Sequence, residues 1–223
     1  MFGDSSIGKV VDFEAGDQLL ALDFTSNNKE LTETILLDTG LFSAWVTQKL
    51  SDNKARYGIG GYDEHRAIYS RSGHFDDLDE PRRLHLGTDI WGPAGTPVYS
   101  FSDAVVHSFG FNDNFGDYGA TIILQHQLAD TSFDVLYGHL SLSSLFGLEE
   151  GLSIAHGVRF AEFGIADDNG HWPPHLHFQV IKDMQGFKGD YPGVCQFSKR
   201  EEYLANCPDP DFILRNTFKT TSF

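Results

Sequence analysis

Between residues 96 and 181 the chain repeats one pattern: a short apolar or alternating run, then a turn of Gly, Asp, Asn or Ser. The runs are 96–99, 104–109, 120–126, 133–137, 158–163 and 175–181. Each is of strand length, and none carries the apolar stripe of a helix. Short strands with turns this close together leave little room for crossover helices, so an antiparallel sandwich or barrel is expected. The segments Gly95-Thr96-Pro97-Val98 to Val106 and Gly151 to Gly164 share one turn-and-strand plan.

Within the last run lies His175-Leu176-His177, entered through Trp172-Pro173-Pro174. In an extended strand, side chains two apart share a face, with Cα atoms about 6.5 Å apart, so both imidazoles can serve one small site. His85-Leu86-Gly87-Thr88-Asp89 places an imidazole and a carboxylate four apart. In a straight strand they would be separated by about 13 Å, so the segment has to bend, and Gly87 supplies the freedom for it. His85 and Asp89 with one histidine of the pair make three protein ligands and leave a fourth tetrahedral position for water. That is the composition of a catalytic zinc site, which lowers the pKa of its water and polarises a carbonyl. No H-E-x-x-H is present, so the proton acceptor is sought in the other histidine of the pair and in His139, within Tyr137-Gly138-His139-Leu140-Ser141. Tyr137 shares a face with His139 if the strand persists and is placed to reach an oxyanion. His171 and Trp172 border the same groove. His107 and His126 are read as sheet residues.

His85-x-x-x-Asp89, Tyr137-Gly138-His139-Leu140-Ser141 and His175-Leu176-His177-Phe178, in this order, resemble the lysostaphin-type (LytM-like) zinc metallopeptidases, over roughly residues 84 to 181. The resemblance implies that His85, Asp89 and His177 bind Zn2+, that His139 and His175 act on the water and the transition state, and that the fold is a small antiparallel β structure with a groove. It also implies a peptide or bacterial peptidoglycan cross-link as substrate, often beside glycine, and an extracytoplasmic setting. Pro93 to Tyr99 and Tyr118 to Ile123 are similar to strand and turn segments of the family. Many members carry a Ser-Thr-Gly run where this chain has Trp172-Pro173-Pro174, and a glycine where it has Ala104. The Trp-Pro-Pro version, with Tyr191-Pro192-Gly193 and Pro208-Asp209-Pro210, resembles the peptidase module of bacterial kinase/peptidase/aminotransferase fusions, where a small cytosolic substrate is conceivable. Competing readings are a non-catalytic peptidoglycan- or protein-binding member and a phosphocarrier sandwich with two histidines; Asp89 as a third ligand favours the hydrolase.

The predicted organisation is an N-terminal β-rich extension and lead-in over 1–80 carrying one short helix, a metallopeptidase domain over 81–190, and a C-terminal extension over 191–223. In the extension, 10–13, 19–24 and 34–37 read as strands, 41–51 as a helix, and the glycine-rich 57–62 as a flexible turn. The acidic run 76–80 reads as an exposed lead-in, and 199–204 as a short helix. Cys207 to Leu214 would end the ordered chain, with fraying beyond. A net charge of -16 disfavours nucleic acid and anionic membranes as partners. No apolar run reaches the ~20 residues of a membrane span, and Met1 to Lys9 lacks signal-peptide character, so the chain as written is expected to be soluble and unexported. Cys195 and Cys207 fit a reducing compartment or a single bridge equally.

Overall fold

The structure is a computed structural model and describes residues 7–76 and 79–219. Residues 1–6 and 220–223, and the middle of the acidic run (77–78), lie outside it, and with them part of the N-terminal reading and the expected terminal fraying.

In chain order the strands are β1 (Leu19–Leu22), β2 (Tyr57–Gly60), β3 (Leu84–His85), β4 (Thr88–Trp91), β5 (Pro97–Tyr99) and β6 (Ala104–Asn112). They continue as β7 (Gly119–Leu128), β8 (Thr131–Leu140), β9 (Ser153–Ile154), β10 (Arg159–Glu162), β11 (His175–Ile181) and β12 (Val194–Cys195). Four α-helices, α1 (Glu33–Leu37), α2 (Thr39–Asp52), α3 (Arg200–Asn206) and α4 (Asp211–Phe218), lie at the two ends of the chain. Eight strands form one sheet in the order β1-β2-β4-β11-β8-β7-β6-β9, and β10-β5 and β12-β3 form two small ribbons. Every pairing is antiparallel except β1 with β2. The fold is mainly β, as expected, and the two similar segments around Val98 and Ala161 turn out to pair with each other.

Strand alternation divides the core. Leu176, Phe178 and Val180 of β11 face the main cluster with Ile122, Leu124, Val135 and Tyr137, beneath Val98, Ala161 and Phe163 from the β5/β10 ribbon. Ile123, Leu136 and Ile181 point the other way, into a second cluster with Leu84, Leu86, Cys195 and Cys207. Both sheet faces are therefore covered, and the β11 residues on this second side, His175, His177 and Gln179, are buried polar groups. A buried polar group has to find partners, so these three mark where a site can form.

Some local expectations change. Thr34–Leu37 belongs to the helix α1, because Thr32 caps it by accepting from the Ile35 amide at 3.4 Å. Val10 and Val11 are buried but lie outside any strand. The glycine-rich 57–62 is not a flexible turn: Tyr57–Gly60 is β2, wholly buried between β1 and β4. Order does not stop at Leu214: Asp211–Phe218 forms α4, whose Ile213, Leu214 and Phe218 join the main core. Cys195 and Cys207 are buried free thiols. Among the described residues no helix is long and apolar enough to cross a membrane.

Candidate active site

The antiparallel register of β11 on β4 sets His177 opposite Asp89 and His175 opposite Trp91. His85 reaches the same point from β3, one bend earlier. Its Nε2 lies 2.9 Å from His177 Nδ1 and 3.2 Å from Asp89 Oδ1, and His177 Nδ1 lies 3.1 Å from the same oxygen. Gly87 allows this by its missing side chain rather than by an unusual backbone angle: a Cβ there would sit 2.9 Å from the His177 ring and 2.8 Å from the Phe178 carbonyl.

The tautomers follow from the partners. His85 Nδ1 faces the Gly61 carbonyl at 2.9 Å, which can only accept, so this nitrogen carries the proton and Nε2 a lone pair. Gln179 Nε2 donates to the Pro192 carbonyl at 3.1 Å, which turns Oε1 towards His177 Nε2 at 2.8 Å. His177 therefore donates from Nε2, and its Nδ1 is left as a lone pair. The triangle of His85 Nε2, His177 Nδ1 and Asp89 Oδ1 is thus three buried acceptors facing one another with no proton to share. Such an arrangement calls for a cation at its centre. Its sides match the roughly 3.3 Å edge of a tetrahedron built with metal–ligand bonds of about 2.0–2.1 Å, so a divalent ion such as zinc fits the residues present. These three are also the only buried group of this kind among the described residues that could hold a metal ion.

Electrostatics agree with lone pairs on the imidazoles. Burial, reinforced by the Arg66 charge, pushes His85 down to about 3. Burial works against ionisation of Asp89, but the adjacent Arg66 charge favours the carboxylate, and the carboxyl is held well below its usual range. His175 is lowered to about 4 and His139 well below its ordinary value, in both cases by burial first.

His139 and His175 stand beside the triangle with ring centroids 4.1 Å apart. His139 Nδ1 donates to the Asn169 carbonyl at 2.8 Å and His175 Nδ1 to the Pro173 carbonyl at 2.7 Å, so each keeps a lone pair on Nε2. His175 stacks on Trp91 at 3.9 Å with an interplanar angle of 11°, which fixes its ring plane. His139, His175, His177 and Asp89 line one cavity of about 260 Å³, walled also by Tyr69, Tyr118, Trp172 and Tyr191.

Of the other residues singled out from sequence, Trp172 is a buried wall of this cavity, contacting the rings of His139, His175 and Tyr69. Tyr137 does not face it. Its ring packs against Phe160 and Phe178 in the main core, and its hydroxyl lies 3.3 Å from His126 Nε2. The shared face with His139 is lost because His139 takes a left-handed conformation, φ 62°, beside an irregularity in the β7–β8 register. His171 stacks on Phe115 and is not among the cavity-lining residues. Tyr118, Tyr69 and Arg66 line the cavity without having been named as site residues; Arg66 and Tyr69 come from one segment between β2 and β3 and Tyr118 from just before β7, and no motif spacing marks them.

The sequence model described as Peptidase family M23 matches residues 83–188. Among curated relatives, the peptidoglycan DD-endopeptidase ShyA of Vibrio cholerae is 28% identical over 150 residues, covering 60% of this chain and 32% of the relative. The DD-carboxypeptidase/endopeptidase Mpg of Neisseria meningitidis is 32% identical over 136 residues, covering 58% of this chain and 28% of Mpg. The chain thus spans about a third of the length of these relatives. Among solved structures, the catalytic domain of lysostaphin from Staphylococcus simulans aligns over 78% of this chain and 97% of its own, at 22% identity and a TM-score of 0.44. A zinc-containing peptidase from Vibrio cholerae aligns over 44% of this chain and 27% of its own, at 29% identity and a TM-score of 0.35. The similarity to peptidase family M23 thus rests on residues 83–188, a little under half of this chain, and both curated relatives are themselves peptidases.

Proposed function

We propose that the protein is a zinc-dependent endopeptidase that hydrolyses a peptide bond of the peptidoglycan cross-link type or of a glycine-rich peptide. His85, Asp89 and His177 hold the zinc, and His139 and His175 are the catalytic histidines. The observation that carries this reading is the buried triangle of three proton-free acceptors with two further imidazole lone pairs beside it in the same cavity. The printed activities of ShyA and Mpg support the substrate class.

Zinc held by the three ligands would supply Lewis acidity, polarising the scissile carbonyl and making the attacking water more acidic. The Nε2 atoms of His139 and His175 are free to accept the water's proton and to return it to the leaving amine. Trp91 beneath His175 stabilises that ring when it is charged, and the Pro173 carbonyl keeps its Nδ1 proton in place, so proton traffic is confined to Nε2. The aromatic walls Tyr69, Trp172 and Tyr191 exclude water, and a volume of about 260 Å³ admits a short backbone segment with small side chains.

Elemental analysis tests the metal: about one zinc per wild-type chain is expected, and far less in His85→Ala and Asp89→Ala. Incubation with peptidoglycan fragments and with pentaglycine, with and without chelator, tests the reaction. His139→Ala and His175→Ala should keep zinc but lose about 10²–10⁴-fold in rate. Stoichiometric zinc in both ligand variants sinks the ligand assignment. Full zinc without chelator-sensitive cleavage favours the non-catalytic binding member.

A further inference from the structure

Arg66 is fully buried, an expensive position for a guanidinium unless its donors are met. Here they are. Nε donates to Glu64 Oε2 at 2.7 Å, Nη1 to Tyr69 Oη at 3.2 Å and to Asp89 Oδ2, and Nη2 to the Gly61 carbonyl at 3.4 Å. Gly60 makes the room, since a Cβ there would lie 2.7 Å from Nη2. The carboxylate oxygen that Arg66 grips is Oδ2, while Oδ1 is the one directed at His85 and His177. Pinning one oxygen fixes the plane of the carboxylate and hence the aim of the other. Gly61, five residues earlier, fixes the His85 tautomer. Two of the three candidate ligands are therefore oriented from residues 61–66, which precede the part of the chain matched by the family model.

We propose that Arg66 is a positioning residue of the metal site, acting through Asp89, so that the segment from β2 to Tyr69 belongs to the catalytic unit. The proposal rests on the reading of His85, Asp89 and His177 as zinc ligands. A guanidinium near a divalent ion also repels it. The Glu64 carboxylate on Nε offsets that charge, so orientation dominates and Arg66 raises metal affinity.

The test uses the full chain as wild type, Arg66→Met, Arg66→Lys and the remote core variant Ile213→Val. Zinc affinity is measured by competition with a chromophoric chelator, alongside thermal melting and the visible spectrum of the cobalt(II)-substituted protein. Arg66→Met should bind zinc about 10–100-fold more weakly, the usual effect of losing a partner that orients a ligand. Arg66→Lys keeps the charge without the planar fork; it should fall between the two and shift the cobalt bands. Ile213→Val should melt lower with zinc affinity and cobalt spectrum unchanged. Should Arg66→Met not fold, Arg66→Lys alone decides, by its affinity and its spectrum. Wild-type affinity within twofold and an unchanged cobalt spectrum in the Arg66 variants would overturn the proposal, as would tighter zinc binding, which would make repulsion the governing effect. A wild-type protein that binds no zinc would instead refute the ligand reading.

Discussion

Replacing Gly87 by alanine tests whether the site depends on close approach rather than on backbone freedom. The added Cβ would sit 2.9 Å from His177 Cε1 and Nε2 and 2.8 Å from the Phe178 carbonyl, where ordinary contact begins at 3.4 Å. Return to ordinary contact therefore takes about 0.5 Å of separation between the Gly87 backbone and the imidazole. The carbonyl is fixed in β11, and the ring is tethered through Nε2 to Gln179 at 2.8 Å, so neither yields freely. A metal tolerates ligand errors of only about 0.2 Å. Half an ångström at one ligand should thus weaken zinc binding about tenfold or more, and overpacking should cost about 1–3 kcal/mol of stability. Chelator competition reads the first and urea denaturation of the metal-free protein the second. Gly73→Ala is the control, because its Cβ would meet nothing within 4 Å and its backbone needs no positive φ. If Gly87→Ala binds zinc within twofold of wild type and unfolds like Gly73→Ala, the steric account of this glycine is wrong.

Two further outcomes are expected. His126 is buried between Ser102 and Tyr137 and pushed down to about 3 by burial, so it stays neutral in the fold while the unfolded chain takes up a proton below about 6.5. Its contribution is complete above pH 6.5 and is lost as pH falls towards 3; between pH 7 and 5 it should cost wild type about 2 kcal/mol more than His126→Phe. Parallel stability–pH lines from urea titrations of the two proteins would contradict this. Asn169 ties the loop before β11 by donating to the Gly164 and Trp172 carbonyls and accepting from the Trp172 amide, while its own carbonyl holds His139. Asn169→Ala should lose about 1–3 kcal/mol of stability for the groups left unpaired. It should also lower turnover without releasing zinc, measured as rate and metal content on one preparation.

The convergence of His85, Asp89 and one histidine of the 175/177 pair was legible because strand alternation and a break at Gly87 can be read from the sequence, whereas the choice of His177 came only from the family resemblance. Regular strands such as β7, β8 and β11 were legible for the same reason. Tyr137 was misplaced because alternation fails where it matters: the left-handed His139 and the neighbouring register irregularity turn that imidazole to the opposite sheet face from the one it should share with Tyr137. The strand β2 was read as a turn because three glycines in six residues normally mark flexibility. Here two of them make room, Gly58 for Leu22 and Gly60 for Arg66, and that need appears only once β1 and the Arg66 loop are packed against the strand. Helix α4 was missed because only its packing on the main core reveals which of its residues are inside.

The tautomers of His85, His139 and His175, on which the chemistry turns, are set by the carbonyls of Gly61, Asn169 and Pro173. Any residue supplies a carbonyl, so nothing in the sequence marks these three positions, and changing side chains there need not alter the proton placement directly. What has to be kept is the path of each loop. Gly61 is placed by β2 lying against β4, Asn169 by its own amide bridging Gly164 and Trp172, and Pro173 by the turn that delivers His175 opposite Trp91. Trp172 joins the last two loops to the segment containing Tyr69 and Phe75 through ring contacts. The stiff Trp172-Pro173-Pro174 entry therefore does more than border a groove. By holding the loop rigid it fixes the orientation of both free imidazole nitrogens, and a disturbance of the Trp172 wall should reach the proposed proton-transfer step before it reaches the proposed metal ligands, which are anchored in β3, β4 and β11.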